Sequence, residues 1–217
     1  MGETEDDNEE STSFKIIILG NGHVGKTSYI LRFCDNKFDD NSLTTIGIDT
    51  KNKYIKRRNK KIELNIWDTA GQDRFKALAK NSVKGADGVI LMYAVNDRQS
   101  FNGIKYWLKN IRDILNFEKI GIIIVGNKCE LPKDEIEVDD ETKNELKSKE
   151  NIEIIDGSAK EDINVTEAFT KLVDQMLDKG LGKVKKKIGE EEEDKNIKLT
   201  DKIKAPNQKG GCCGKKG

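Results

Sequence analysis

The sequence predicts an α/β fold in three layers: a six-stranded, mainly parallel sheet with one antiparallel edge strand, covered by about five helices. Three observations carry that expectation. Four short runs are almost continuously apolar, as strands buried on both faces are. Stretches with apolar residues every three or four positions alternate with these runs, which makes each pair a βαβ unit and the strands parallel. One further pair of strand-like stretches is joined by a short basic turn and reads as a hairpin.

In chain order, residues 14–19 (FKIIIL) form the first buried strand and 27–34 the first helix. Residues 53–58 and 61–67, turning at 58–60, are the hairpin that supplies the antiparallel edge. The remaining buried strands are 88–95, 120–125 and 152–155, and helices are expected at 101–117, 142–149 and 165–177. Neither proline, Pro132 or Pro206, falls inside an element, and no internal repeat is visible.

A length of 217 residues suits one domain plus a tail. Residues 1–12 carry six acidic side chains and no basic one, so they read as a disordered acidic head. Such a start is not a signal or transit peptide. The folded domain is expected over 13–180. Residues 181–217 are glycine-punctuated and charge-blocked, with eleven lysines against six acids, and read as a flexible tail ending near Cys212-Cys213. The formal net charge of zero is therefore a cancellation between an acidic head and a basic tail around a near-neutral domain. Charged residues make up 36% and no apolar run approaches the roughly 20 residues of a bilayer helix, which excludes a membrane-spanning class. No basic, aromatic-interleaved surface appears, so no nucleic-acid partner is expected. Four cysteines without a signal peptide point to a reducing, cytosolic setting, with Cys34 and Cys129 as inert core thiols.

The strongest motif is Gly20-Asn21-Gly22-His23-Val24-Gly25-Lys26-Thr27, which fits G-x-x-x-x-G-K-[ST] between the first strand and the first helix. Its glycines let consecutive backbone N–H groups face phosphate oxygens, and the helix N-terminus reaching to Ser28 adds its dipole. Lys26 would reach the β- and γ-phosphates, and the Thr27 hydroxyl would bind Mg²⁺. This loop alone implies a nucleoside triphosphate without naming the base, so an ATPase or kinase stays open at this point. Asn127-Lys128-Cys129-Glu130 follows another buried strand and lies at the same sheet edge. A carboxylate there can accept from guanine N1–H and the exocyclic amine, a pair of donors that adenine lacks. Ser158-Ala159-Lys160, after the last strand, offers a backbone N–H to the guanine O6.

With these motifs joined by Thr44-Thr45-Ile46-Gly47-Ile48-Asp49 and by Trp67-Asp68-Thr69-Ala70-Gly71-Gln72-Asp73-Arg74-Phe75, the sequence resembles the Ras superfamily of small GTPases and, within it, the Rab family. The resemblance covers about residues 14–179. The interval from Glu130 to Val138 is too short for the helix that Rho-like proteins insert, and Ran-like proteins lack the terminal cysteines. The resemblance implies the P-loop NTPase fold of small G proteins, a GTP-binding domain over 13–180, and a GTP/GDP switch that hydrolyses GTP slowly with bound Mg²⁺. It implies that Thr45 gives its hydroxyl to Mg²⁺ and its N–H to the γ-phosphate. Asp68 would hold Mg²⁺ through water, Gly71 would donate its N–H to the γ-phosphate, Gln72 would orient the attacking water, and Phe38 would lie against the guanine. It also implies a nucleotide exchange factor, a GTPase-activating protein, a GDP-dissociation inhibitor or escort protein, and effectors on the switch regions at 36–50 and 71–84. Geranylgeranylation of Cys212 and Cys213 would anchor a monomer to the cytoplasmic face of an endomembrane, in exchange with cytosol, for vesicle trafficking. The alternative is a GTP-binding trafficking scaffold with negligible turnover.

Departures from the family pattern carry their own expectations. Glu130 replaces the usual aspartate and sets its carboxylate one methylene further out, which predicts weaker GTP binding with guanine still preferred. His23 stands where a small residue is usual, its ring either pointing to solvent or tuning exchange near pH 6–7. Gly22 leaves Gln72 unobstructed. Thr50 and Ser82-Val83-Lys84 replace aromatic positions, which predicts an altered effector set. Four residues follow Cys213, an unusual ending for prenylation. The four lysines in 183–187 would face either anionic lipid or the acidic run at 190–194.

Overall fold

The computed structural model describes residues 11–39, 45, 47–69 and 83–185. By contacts the chain divides into Met1–Lys187 and Ile188–Gly217, and the second unit lies outside the described residues. Within the first, the element order is β1 (Ser11–Gly20), α1 (Lys26–Asp35), β2 (Ile48–Arg57), β3 (Lys60–Thr69), β4 (Gly88–Ala94), α2 (Arg98–Ile114), β5 (Gly121–Asn127), α3 (Asp140–Glu150), β6 (Glu153–Asp156), α4 (Val165–Asp178) and β7 (Lys183–Lys185). The sheet runs β2-β3-β1-β4-β5-β6, with β2 antiparallel to β3 and the rest of this path parallel. That is the expected mainly parallel sheet with an antiparallel edge.

Two apolar layers explain why these segments are strands. Along β1, Ile16 and Ile18 enter one layer and Ile17 and Leu19 the other, and all four are fully buried. The period of two continues in β4 and β5. The first layer is closed by Tyr29, Ile30 and Phe33 of α1 and by Phe169, Leu172 and Met176 of α4. Phe33 stacks on Phe169 with ring centroids 3.8 Å apart. The second layer is closed by Phe101, Ile104, Trp107 and Leu108 of α2 and by Leu146 of α3. Gly88 and Gly121 are register partners, and a side chain at either would strike Leu172 and Met176, so α4 rests directly on the backbone there. Asp97 and Asp139 cap α2 and α3 through their carboxylates, to Ser100 N and Thr142 N.

The structure changes four boundaries. The hairpin turns on Arg58 and Asn59, both at positive φ (49° and 59°), as a two-residue loop matched to the strand twist requires. β2 begins at Ile48, earlier than expected, because the polar residues 49–52 are held by their ladder with β3 and not by an apolar pattern. Two of the residues assigned to the head, Ser11 and Thr12, belong to β1.

The fourth change lies at the start of the expected tail. Gly180 at φ 63° ends α4: its N–H donates to Leu177 O at 3.0 Å, and the Leu181 N–H donates to Met176 O at 3.0 Å. This is a Schellman stop, and Leu181 packs on the first apolar layer. The chain then reverses, and Lys183–Lys185 pair antiparallel with β1 in the register Ser11↔Lys185. Since β3 occupies the other edge of β1, β7 shares an edge with β4, which takes residues 16–20.

Candidate functional site

The carboxyl ends of β1, β3, β5 and β6 open onto a cleft of about 450 Å³. One end is built by the loop from Gly20 to Thr27. Gly25 precedes α1 at φ 90° without a side-chain cap, and the first helical bond is Tyr29 N–H to Gly25 O at 2.9 Å. The first-turn N–H groups, including those of Lys26, Thr27 and Ser28, therefore lack intrahelical partners, and no acidic residue competes for them. This makes an anion site of the kind expected. A side chain at position 25 would collide with Asn127, so the site's two halves require glycine here. Lys26 is 6% exposed and donates to Gly20 O at 3.1 Å and Asn21 O at 2.8 Å, which cinches the loop and leaves a third donor. Burial pushes its ammonium down to about 8, against the pull of Asp68. Gly22 and His23 line the cleft. His23 is exposed, with φ 62°, as the solvent-facing alternative requires.

Thr27, Thr45 and Asp68 come together as one oxygen cluster. The Thr27 hydroxyl donates to Asp68 Oδ2 at 2.5 Å, and Thr27 Oγ1 and Thr45 Oγ1 are 2.5 Å apart. Asp68 Oδ1 is buried with no partner among the described residues. Burial also raises the Asp68 carboxyl, partly offset by the Thr27 hydroxyl and Lys26. An orphaned carboxylate oxygen beside two hydroxyls, in an all-oxygen donor set, fits Mg²⁺, which takes one or two carboxylates and completes its shell with water and phosphate. Clusters of three or more His, Cys, Asp or Glu side chains, which would mark an all-protein cage, do not occur among the described residues.

The other end of the cleft is read from Asn127, Lys128, Glu130, Ala159 and Lys160. Asn127 is 2% exposed and acts as a tie: Nδ2 donates to Val24 O at 2.9 Å, and Oδ1 accepts from Ala159 N–H at 3.0 Å. Lys128 takes φ 71°. Glu130 lines the cleft, and its Oε2 is buried and unpartnered among the described residues. Ser158 is fully buried and accepts from Glu161 N–H through its hydroxyl, so it shapes the loop from within. Phe38 is half-buried, packed on the first apolar layer and lining the cleft. Burial pushes the Cys129 thiol up, as does Asp156.

Sequence reasoning missed residues that act through backbone carbonyls or across long intervals. Arg32 of α1 donates to Ala159 O and Lys160 O, and the Trp107 indole of α2 donates to Asn21 Oδ1 at 3.2 Å. Tyr29 OH reaches Asn164 O at 3.2 Å, and Thr69 Oγ1 donates to Ile18 O at 2.6 Å. Apart from Thr69, which lies in the stretch 67–75, none belongs to a recognisable motif, so only three-dimensional proximity finds them. On β2, Thr50 is exposed beside its register partner Trp67, over whose ring the Lys15 ammonium sits at 4.1 Å. Val83 is buried in the second apolar layer. Gly71, Gln72, Ser82, Cys212 and Cys213 lie outside the described residues. Among the described residues no helix is long and apolar enough to cross a membrane.

A family model described as the Ras family matches residues 15–178. The chain is 39% identical over 166 residues to Ras-related protein Rab-3 of Caenorhabditis elegans, covering 76% of this chain and 75% of that protein. It is 40% identical over 166 residues to Ras-related protein Rab-3A of Homo sapiens (76% and 74%). It is 39% identical over 166 residues to Ras-related protein Rab-3B of Bos taurus (76% and 75%).

Proposed function

Because this chain belongs to the Ras family, as a Rab-type small GTPase that binds GTP or GDP with Mg²⁺, hydrolyses GTP and serves vesicle trafficking, we propose that the cleft at the carboxyl edge of its sheet is where the nucleotide is held and cleaved. The observation that carries this reading is the convergence of Thr27, Thr45 and Asp68 directly beside the uncapped start of α1. The backbone N–H groups of 21–28 and the free donor of Lys26 bind the polyphosphate. Thr27, Thr45 and Asp68 would hold the Mg²⁺, which would supply positive charge against the charge that develops on the phosphates. Asn127 locks the phosphate loop to the base-reading loop. Glu130 accepts from the guanine N1–H and amine, Phe38 covers the ring, and the segment Ser158-Ala159-Lys160 donates to O6.

Hydrolysis itself needs little covalent work from the protein, so positioning decides the rate. Gln72 orients the attacking water, and the Gly71 N–H meets the γ-phosphate. The γ-phosphate orders 36–50 and 71–84 through Thr45 and Gly71, and its loss releases both segments. Regulators and effectors that read this difference come with Rab membership. They are an exchange factor, an activating protein that lends an arginine, and a GDP-dissociation inhibitor or escort protein that handles the prenylated chain. Cys212 and Cys213 carry two geranylgeranyl groups that place a monomer on the cytoplasmic face of an endomembrane.

Single-turnover GTP hydrolysis in the full chain tests this reading. Slow release of phosphate is expected in the wild type, with a drop of about tenfold or more in Gln72→Ala, equivalent to roughly 1.4 kcal/mol or more of barrier. Wild-type GTP that is bound but not turned over at all would instead identify a scaffold.

A further inference from the structure

Arg32 stands in the last turn of α1 and is absent from every nucleotide-binding motif of the chain. Its guanidinium spans three partners at once. Nε donates to Ala159 O at 2.8 Å, one Nη donates to Lys160 O at 2.9 Å, and the other donates to Asn36 Oδ1 at 2.9 Å. Two of these acceptors are consecutive carbonyls of the loop that lines the base end of the cleft. A planar, forked guanidinium can grip both together, whereas an ammonium cannot reproduce that geometry.

The grip matters because a peptide unit is planar and trans, so its C=O and N–H point to opposite sides. The Ala159 carbonyl shares its peptide with the Lys160 N–H. Pulling that carbonyl toward α1 turns the Lys160 N–H the other way, and both residues line the cleft. The neighbouring donors are already engaged: Ala159 N–H with Asn127 Oδ1 at 3.0 Å, and Glu161 N–H with Ser158 Oγ at 2.9 Å. The same side chain reaches Asn36, the left-handed C-cap of α1, whose N–H returns to Arg32 O at 3.0 Å. Asn36 is also the first residue of the 36–50 segment.

We propose that Arg32 is a positioning residue for base recognition, which by gripping the Ala159 and Lys160 carbonyls aims the Lys160 N–H at the oxygen on C6 of the bound purine. The proposal rests on the guanine reading of the cleft. Two analogues separate them: inosine diphosphate lacks only the 2-amine read by Glu130, and 6-thioguanosine diphosphate replaces only the C6 oxygen by a weaker acceptor.

Affinities for GDP and both analogues would be measured by competition in the full-length wild type, Arg32→Ala and Arg32→Lys. Loss of one aligned hydrogen bond should shrink the preference for GDP over the thio analogue by about 3–10-fold in Arg32→Ala, and by less in Arg32→Lys. The preference for GDP over inosine diphosphate should stay within about twofold of wild type in both. An unchanged thio preference, or equal weakening of all three ligands, overturns the proposal and leaves Arg32 as a structural strut. Should Arg32→Ala fail to fold by circular dichroism, Arg32→Lys carries the same comparison with the same overturning outcomes. A wild type that does not distinguish GDP from inosine diphosphate removes the guanine reading, and the proposal with it.

Discussion

Glu130 concentrates the residue-scale physics of the cleft. Its Oε2 is buried without a partner among the described residues, a cost of about 1–3 kcal/mol for a polar group left unmade. Two guanine donors can recover it, but the side chain is one methylene longer than the aspartate usual in this motif. Glu130→Asp is therefore expected to tighten GTP binding by about one to two decades, with GTP still preferred to ATP, as competition binding would show. No gain from the shorter side chain would sink the alignment argument. Residues such as Lys26, Thr27, Asp68 and Glu130 were legible in the sequence because phosphate, Mg²⁺ and guanine chemistry each demand a side-chain type at a set spacing. Arg32 and Trp107 were not. Arg32 works through carbonyls that any sequence would supply, and Trp107 finds Asn21 across 86 positions of chain.

Among the elements, the β2–β3 hairpin is fastened at its tip to the end of α4. Arg57 donates to both oxygens of Asp174 at 2.9 and 2.6 Å, and Arg58 reaches Asp178 at 2.6 Å. Hydrogen bonds from Arg57 and Arg58 hold the Asp174 and Asp178 carboxyls below the ordinary value of 3.8. A carboxyl depressed in the folded state contributes stability above its unfolded pKa and loses it as pH falls through the folded one. A double-mutant cycle on Arg57→Ala and Asp174→Ala is expected to give a small coupling at neutral pH. That coupling should shrink with added salt, because the pair is solvent-exposed, and vanish once acid has protonated Asp174, at a pH below its ordinary value. A coupling that survives acid would exclude the ion pair as its source. The hairpin was legible as two alternating stretches around a basic turn, but the first half of β2 was not, since residues 49–52 carry no apolar signal and are ordered by pairing alone. β7 was hidden for a similar reason: a charged, glycine-flanked stretch reads as tail until Leu181 and Gly180 are recognised as a helix stop.

For the molecule as a whole, the three-layer architecture followed from the apolar runs because burial on both faces leaves no room for polar alternation. A net charge of zero said little, since the proposed binding relies on aimed N–H groups and one buried lysine. Membrane attachment is a whole-chain property, and its test is imaging of the wild type beside Cys212→Ser/Cys213→Ser. The wild type is expected on an endomembrane and the double variant in the cytosol; identical distributions would refute anchoring through these cysteines. If that anchoring holds, the pairing of β7 with β1 has a mechanical consequence. β7 ends at Lys185 beside Ser11, at the opposite end of β1 from Gly20 and so roughly 30 Å from the phosphate loop. Antiparallel rungs lie across the strands, so a pull along β1 toward the bilayer loads them together in shear and does not peel them one by one. Tension reaching β7 would thus be borne at the foot of the sheet, at the far end of β1 from the phosphate loop.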